Sequence, residues 1–189
     1  MPYFDVICCN AMLYVYAQSG QCDLAKSLLH EMPEHDLLSW TAILLSYTQS
    51  NNFSEAKFLF DTMPCPNMEH HPDHVCFLSI LSVCSKKGRV KQGRTFLASM
   101  RFDYGVEPRR HHYSSMVDLL GRSGYLGDAL ELLRTMPFIA KALDWVCFAA
   151  ACRSHTDLKL GAEVGSQILG RQPGSGAVVL LANSWVEHL

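Results

Sequence analysis

Apolar residues recur near the start of the chain with the period of a helix. Met12, Val15 and Tyr16 fall at i, i+3 and i+4, and Leu24, Leu28 and Met32 make a second such stripe. Between the stripes lies a turn signal, Ser19-Gly20, and after the second comes Pro33. Proline disfavours the helical conformation in the residue before it, so the second helix is predicted to end near Met32. The pattern predicts two amphipathic helices joined by a tight turn.

The same pattern returns along the chain. Residues 10–33, 41–64 and 114–137 align without gaps, and each segment ends in Met-Pro: Met32-Pro33, Met63-Pro64 and Met136-Pro137. Ala25, Ala56 and Ala129 hold equivalent places in the second helices, where a small residue lets paired helices approach closely. Weaker copies occupy 78–100, with Gly93 at the alanine place, and 146–169. Corresponding starts at 10, 41, 78, 114 and 146 give steps of 31, 37, 36 and 32. A period of about 34 is that of a helix-turn-helix repeat. Each pair is apolar on more than one face and must stack on its neighbours. The predicted fold class is therefore all-α, an α-solenoid of stacked antiparallel helix pairs with a long concave surface. Ten or eleven helices are expected, in pairs starting near residues 6, 37, 74, 110 and 142. A compact helical bundle is the structural alternative.

Composition narrows the picture. Of 189 residues, 49% are hydrophobic and 18% charged, which excludes a disordered chain. The apolar run Trp145–Cys152 is far shorter than the roughly 20 residues of a membrane span. Met1 to Ala17 is apolar, but its only charge is Asp5, so the positive region of a signal peptide is missing and the segment reads as a first helix. The net charge of −2 argues against nucleic acid, yet the charge is uneven. Residues 1–85 carry two basic and nine acidic side chains, residues 86–189 fourteen and nine. Lys86, Lys87, Arg89, Lys91 and Arg94 form the densest basic stretch, which suits either a phosphate backbone or a solvated helix start.

Eight cysteines show no C-x-x-C spacing, and several lie in apolar helical stretches, as expected for a reducing compartment without a disulfide framework. Two histidine groups, His70, His71 and His74 with Glu69, and His111 with His112, could suggest a metal. Pro72 interrupts the first, and both read as solvated loop histidines. The zinc deaminase pattern, H-x-E with a paired C-x-x-C, is lacking, as are phosphate loops and nucleophile elbows. The chain is expected to be no enzyme and to take neither metal nor cofactor.

Particular strings resemble a known family. Asn10-Ala-Met, Tyr16-Ala-Gln-Ser-Gly20 and Glu31-Met-Pro33 resemble a short repeat of the plant PLS-class pentatricopeptide repeat proteins, as does Ser39-Trp40-Thr41-Ala42-Ile43. His74 to Cys84 and Tyr104-Gly-Val-Glu-Pro108 resemble the long variant, and His112 to Gly124 the last short repeat of such arrays. Asp144-Trp145, Ala151 to His155 and Leu180-Leu-Ala-Asn183 resemble the E-type extension that follows. The resemblance implies a tail of a preceding repeat at 1–5, repeats at 6–36, 37–73, 74–109 (long type) and 110–141, and a truncated E-type extension at 142–189. It also implies a fragment of a longer protein.

The family reads one RNA base per repeat, through the fifth residue of the first helix and the last residue of the repeat. The resemblance therefore implies base reading by Asn10 with Asp36, preferring uracil, and by Thr41 with Asp73, preferring guanine. Ser114 with Lys141 is a weaker pair, because lysine stands where aspartate is usual. Leu78 with Arg109 and Val146 depart from the pattern. Asn10 and Thr41 also read as caps or inner-face polar residues, and Asp36 and Asp73 as loop carboxylates. Lys86, Lys87 and Arg89 are weak candidates for the RNA backbone. The implied role is a specificity factor for single-stranded RNA in organelle RNA processing, including C-to-U editing. Other editing factors or a deaminase would bind in trans at the E-like end. The implied location is mitochondrion or chloroplast, although the chain shows no transit peptide. A protein-binding scaffold and a non-functional truncated product are the alternatives.

Overall fold

The computed structural model describes residues 5–63, 71–157, 159–162 and 164–165. Nine helices are defined among them: α1 (Val6–Gln18), α2 (Cys22–Glu31), α3 (Leu37–Gln49), α4 (Phe53–Thr62), α5 (His74–Lys87), α6 (Val90–Phe102), α7 (Arg110–Arg122), α8 (Leu126–Thr135) and α9 (Ala142–Ser154). No strand occurs among the described residues. The second E-like string, Leu180 to Asn183, lies outside them. The chain divides into two compact units, Met1–His112 and Tyr113–Leu189.

Local chemistry sets the helix ends. Met32, Met63 and Met136 all leave the helix with extended ψ values of 132°, 125° and 145°. Each precedes a proline, whose ring crowds the helical conformation of the residue before it. The three methionines are buried, so each stop also places a side chain in the core. The turns inside the pairs share another device. Gly20, Asn51, Gly88, Gly124 and Thr156 all take positive φ, between 56° and 81°. In each turn the following amide bonds a carbonyl five residues back, as in Gln21 N to Tyr16 O and Asp157 N to Cys152 O. This is the left-handed helix stop, which glycine adopts at no steric cost.

In the first unit α3 packs against both α1 and α5, while α2, α4 and α6 pack on the first helices that precede them. Ala25, Ala56 and Gly93 are buried at the small-residue places. Phe60 of α4 meets the rings of Phe77 and Phe96 at 5.0 and 5.2 Å, and Phe77 meets Tyr104 at 5.3 Å. Edge-on contacts of this kind add to the apolar burial that drives the packing.

One expectation fails at the residue level. The stripe Met12, Val15 and Tyr16 is not the buried face of α1; Met12 and Val15 are exposed, and the core receives Cys9, Leu13 and Ala17. On α2 the core takes Ala25, Leu29 and Met32, while Leu24 is exposed. Helix α1 is apolar on most faces, so period alone does not choose a side. The contacts with α2 and α3 choose it.

In the second unit, α8 and α9 pack together, and α7 approaches α9 closely at Gly121. A Cβ added to Gly121 would lie 2.7 Å from Ala151 Cβ. Leu126, Ala129, Leu130 and Leu133 of α8 and Phe148 and Cys152 of α9 supply core residues.

Candidate functional site

Asp36 precedes α3 and caps it: its Oδ1 accepts from Ser39 N at 2.8 Å. The cap fixes the carboxylate close to α1. There the Asn10 side-chain nitrogen donates to both carboxylate oxygens, each at 3.0 Å. Ser39 closes the group, donating from its hydroxyl to Asn10 Oδ1 at 2.7 Å and lying 2.9 Å from Asp36 Oδ1. A carboxylate only accepts, so the Asn10 nitrogen must face Asp36 and its oxygen Ser39. Burial pushes the Asp36 carboxyl up, but the bonds from Ser39, Asn10 and Leu38 outweigh it and hold the group below its ordinary value. Asp36 is thus an ionised cap, not a loop carboxylate.

The next pair differs. Asp73 caps α5, accepting from Val75 N and Cys76 N at 2.9 Å. Thr41 donates its hydroxyl to Leu37 O at 2.6 Å and lies 3.5 Å from Cys76 Sγ. Because the Thr41 proton goes to a backbone carbonyl, the hydroxyl offers lone pairs elsewhere. Burial pushes the Cys76 thiol up to about 11. Asn10 and Thr41 occupy the fifth position of α1 and α3, and both are half-buried. Leu78, at the same position of α5, is also half-buried.

In the second unit Ser114 donates to Asp144 Oδ1 at 2.6 Å, and Asp144 Oδ2 accepts from Lys141 N at 2.8 Å. Lys141 precedes α9 as Asp36 precedes α3, and is exposed. The carboxylate beside the fifth-position residue here comes from three positions later. Sequence reading missed Ser39 and Asp144, whose partners lie 29 and 30 residues away.

A second missed group is apolar. Ile7, Leu38, Val75 and Leu143 hold the second position of α1, α3, α5 and α9, and all are exposed, Ile7 by 73% and Leu38 by 66%. Each lies three residues before a fifth position and so on the same helix face. The signal in the sequence was an apolar residue at one fixed register beside a polar one.

The basic stretch is partly engaged. Lys86 Nζ donates to Thr48 O at 2.9 Å, near the carbonyl end of α3, where a cation is favoured. The Arg89 guanidinium lies 5.5 Å from the Phe53 ring centre. Lys86, Lys87 and Arg89 are all exposed. Along α5, Lys86 stands about 12 Å beyond Leu78, from eight residues of rise.

The histidines are not solvated loop residues throughout. His112 is buried in the first turn of α7. Its Nδ1 lies 2.9 Å from Arg109 N, from which it accepts, and its Nε2 lies 2.9 Å from His74 O. That pattern requires the neutral ring. His74 begins α5, and burial, with Arg109 and His112 nearby, pushes its pKa down. Glu69 and His70 lie outside the described residues. Among the described residues no group of three metal-binding side chains forms.

These features define a class: helix pairs repeated along the chain, with an exposed apolar residue at the second position of α1, α3, α5 and α9 and a small polar one at the fifth position of α1, α3 and α7. The family model described as the PPR repeat matches residues 7–37, 38–65 and 111–137. Pentatricopeptide repeat-containing proteins of Arabidopsis thaliana are similar over nearly the whole chain. One is 35% identical over 97% of the chain and 22% of its own length. A second, named mitochondrial, is 35% identical over 97% of the chain and 33% of its own length. A third, named chloroplastic, is 34% identical over 91% of the chain and 20% of its own length. The crystal structure of the pentatricopeptide repeat protein PPR10 from maize superposes with a TM-score of 0.80 over 96% of this chain and 27% of that one, at 13% identity. The fold is therefore the all-α repeat solenoid; the chain carries pentatricopeptide repeats at these three segments and resembles plant pentatricopeptide repeat proteins over nearly its whole length. It spans about a fifth to a third of the length of these Arabidopsis relatives.

Proposed function

We propose that the chain binds single-stranded RNA through the starts of its first helices. The carrying observation is the Asn10, Asp36 and Ser39 group beside exposed Ile7 and Leu38. Unstacked bases offer an apolar face and a hydrogen-bonding edge. An exposed apolar side chain three residues from an oriented polar one suits both. In this reading Asn10 with Asp36 reads uracil and Thr41 with Asp73 reads guanine. Ser114 reads more weakly, with Lys141 at the cap. Lys86, Lys87 and Arg89 contribute to the phosphate backbone.

The finer role follows the family resemblance: the chain is a PLS-class repeat array with an E-type extension, and it selects transcripts for organelle RNA processing such as C-to-U editing. It carries out no chemistry itself, and the deaminase or other editing factors dock on residues 142–189. Relatives named mitochondrial and chloroplastic support an organelle location.

The test is equilibrium binding of the full chain to single-stranded RNA, double-stranded RNA and single-stranded DNA of one sequence at several salt concentrations. Preferential, salt-dependent binding of the single-stranded RNA supports the reading. Equal or no binding of all three removes it.

A further inference from the structure

The third residue of the later first helices makes two recurring contacts, and Ser39 and Asp144 make both. In one it accepts the backbone N–H of the residue before the helix. Ser39 Oγ accepts from Asp36 N at 3.3 Å, His112 Nδ1 from Arg109 N at 2.9 Å and Asp144 Oδ2 from Lys141 N at 2.8 Å. This is the reciprocal half of a capping box, and it pins the side chain against its own helix start. The other is with the fifth residue of the preceding first helix. Ser39 donates to Asn10 at 2.7 Å, Cys76 lies 3.5 Å from Thr41, and Asp144 accepts from Ser114 at 2.6 Å. Two different side chains, a hydroxyl and a carboxylate, make both contacts.

We propose that this third residue is a positioning residue for base reading, and that Asp144 makes Ser114 a reader that only accepts hydrogen bonds. The inference rests on the RNA-binding function proposed above. Asp144 is 5% exposed and touches no nucleotide itself. Its Oδ1 accepts the Ser114 hydroxyl hydrogen bond at 2.6 Å, a distance in the range of a charge-assisted bond. Ser114 then presents lone pairs alone. An acceptor favours a base edge rich in N–H groups, and guanine, with its ring N–H and amino group, is the strongest such edge. Ser39 acts with opposite polarity: by donating to Asn10 Oδ1 it holds the amide with its nitrogen toward Asp36. The missing carboxylate at Lys141 is thus replaced from the third position, and the repeat at 110–141 retains base discrimination.

The experiment selects RNA from a random single-stranded pool with the full chain and compares base preference nucleotide by nucleotide. The variant is Asp144→Asn. Its amide oxygen still accepts from Lys141 N, and its amide nitrogen donates to Ser114, releasing the hydroxyl proton toward the RNA. The expected result is one altered position, where guanine loses about fivefold against uracil, the size of one ordinary hydrogen bond. All other positions keep their preference, and far-ultraviolet circular dichroism is unchanged. An even loss at every position, or no change at any, overturns the inference while leaving RNA binding in place. A wild-type chain that enriches no RNA overturns both. Should Asp144→Asn not fold, Ser39→Ala decides: discrimination falls at the nucleotide facing Asn10 alone, and unchanged discrimination there counts against the positioning role.

Discussion

The side-chain nitrogen of Asn10 lies 3.0 Å from both carboxylate oxygens of Asp36, 26 residues away in sequence. The bond joins the first helix of one repeat to the cap of the next. It therefore links the stacking of α1 on α3 to the state of the residues that would meet a base.

Asp36→Ala should lower stability by about 1–2 kcal/mol, the usual cost of losing a side-chain cap, read from urea unfolding followed by circular dichroism. The pH dependence follows from the depressed carboxyl. A carboxyl held below its unfolded value stabilises the fold above that unfolded value, and the contribution fades as pH falls through the lower, folded value. Acidification of the wild type should therefore show a loss of stability that Asp36→Asn lacks. Parallel acid profiles would show that the hydrogen bonds contribute nothing to folding.

The helix stops give a second prediction. Thr156 takes φ of 57° at a place where Gly20, Gly88 and Gly124 do the same without a side chain. A β-branched residue is strained there by about 1–2 kcal/mol. Thr156→Gly should raise the thermal midpoint of unfolding, after some offset from the freer unfolded chain. Gly88→Val should lower it. A lower midpoint for Thr156→Gly would mean that the Thr156 hydroxyl bond to His155 O outweighs the strain.

Close packing in the second unit gives a third. Gly121→Ala places a methyl group 2.7 Å from Ala151 Cβ, which forces α7 and α9 to shift. The expected cost is about 1–3 kcal/mol, as for other overpacked sites. Ala151→Gly in the same chain should restore part of it, a coupling that a double-mutant cycle measures. Strict additivity of the two substitutions would place the clash elsewhere.

The parts of the fold that depend on neighbouring residues were readable from sequence. Met-Pro at 32, 63 and 136 marked the ends of second helices, because proline acts on the residue before it. Ser19-Gly20 marked the first turn, because left-handed backbone favours glycine. The buried face of α1 was not readable, since Ile7, Met12 and Val15 are apolar like Leu13 and yet all exposed. Nor was the role of Ser39 or Asp144. A serine or aspartate at the start of a helix is common, and what distinguishes these two is the stacking of helices some thirty residues apart. Of the site, family resemblance named Asn10, Asp36 and Ser114, and the structure supplied what holds them.

The final prediction concerns Thr41. Its hydroxyl proton goes to Leu37 O at 2.6 Å, so toward a base it acts as an acceptor, which suits the N–H groups of guanine. An amide at the same place offers a donor and an acceptor together, which matches the N–H and carbonyl of uracil. Thr41→Asn should therefore move preference at one nucleotide from guanine toward uracil, by about 1–3 kcal/mol for a well-formed bidentate pair. Lys86→Ala, Lys87→Ala and Arg89→Ala should act differently, weakening binding to all sequences and flattening its salt dependence. Lys86→Ala should in addition cost some stability, through loss of its bond to Thr48 O. Binding of RNAs that differ at single nucleotides, measured for each variant at low and moderate salt, separates the two effects. If Thr41→Asn leaves base preference unchanged while binding stays measurable, Thr41 does not read a base. If the lysine and arginine variants alter preference rather than overall affinity, those side chains contact bases instead of phosphates.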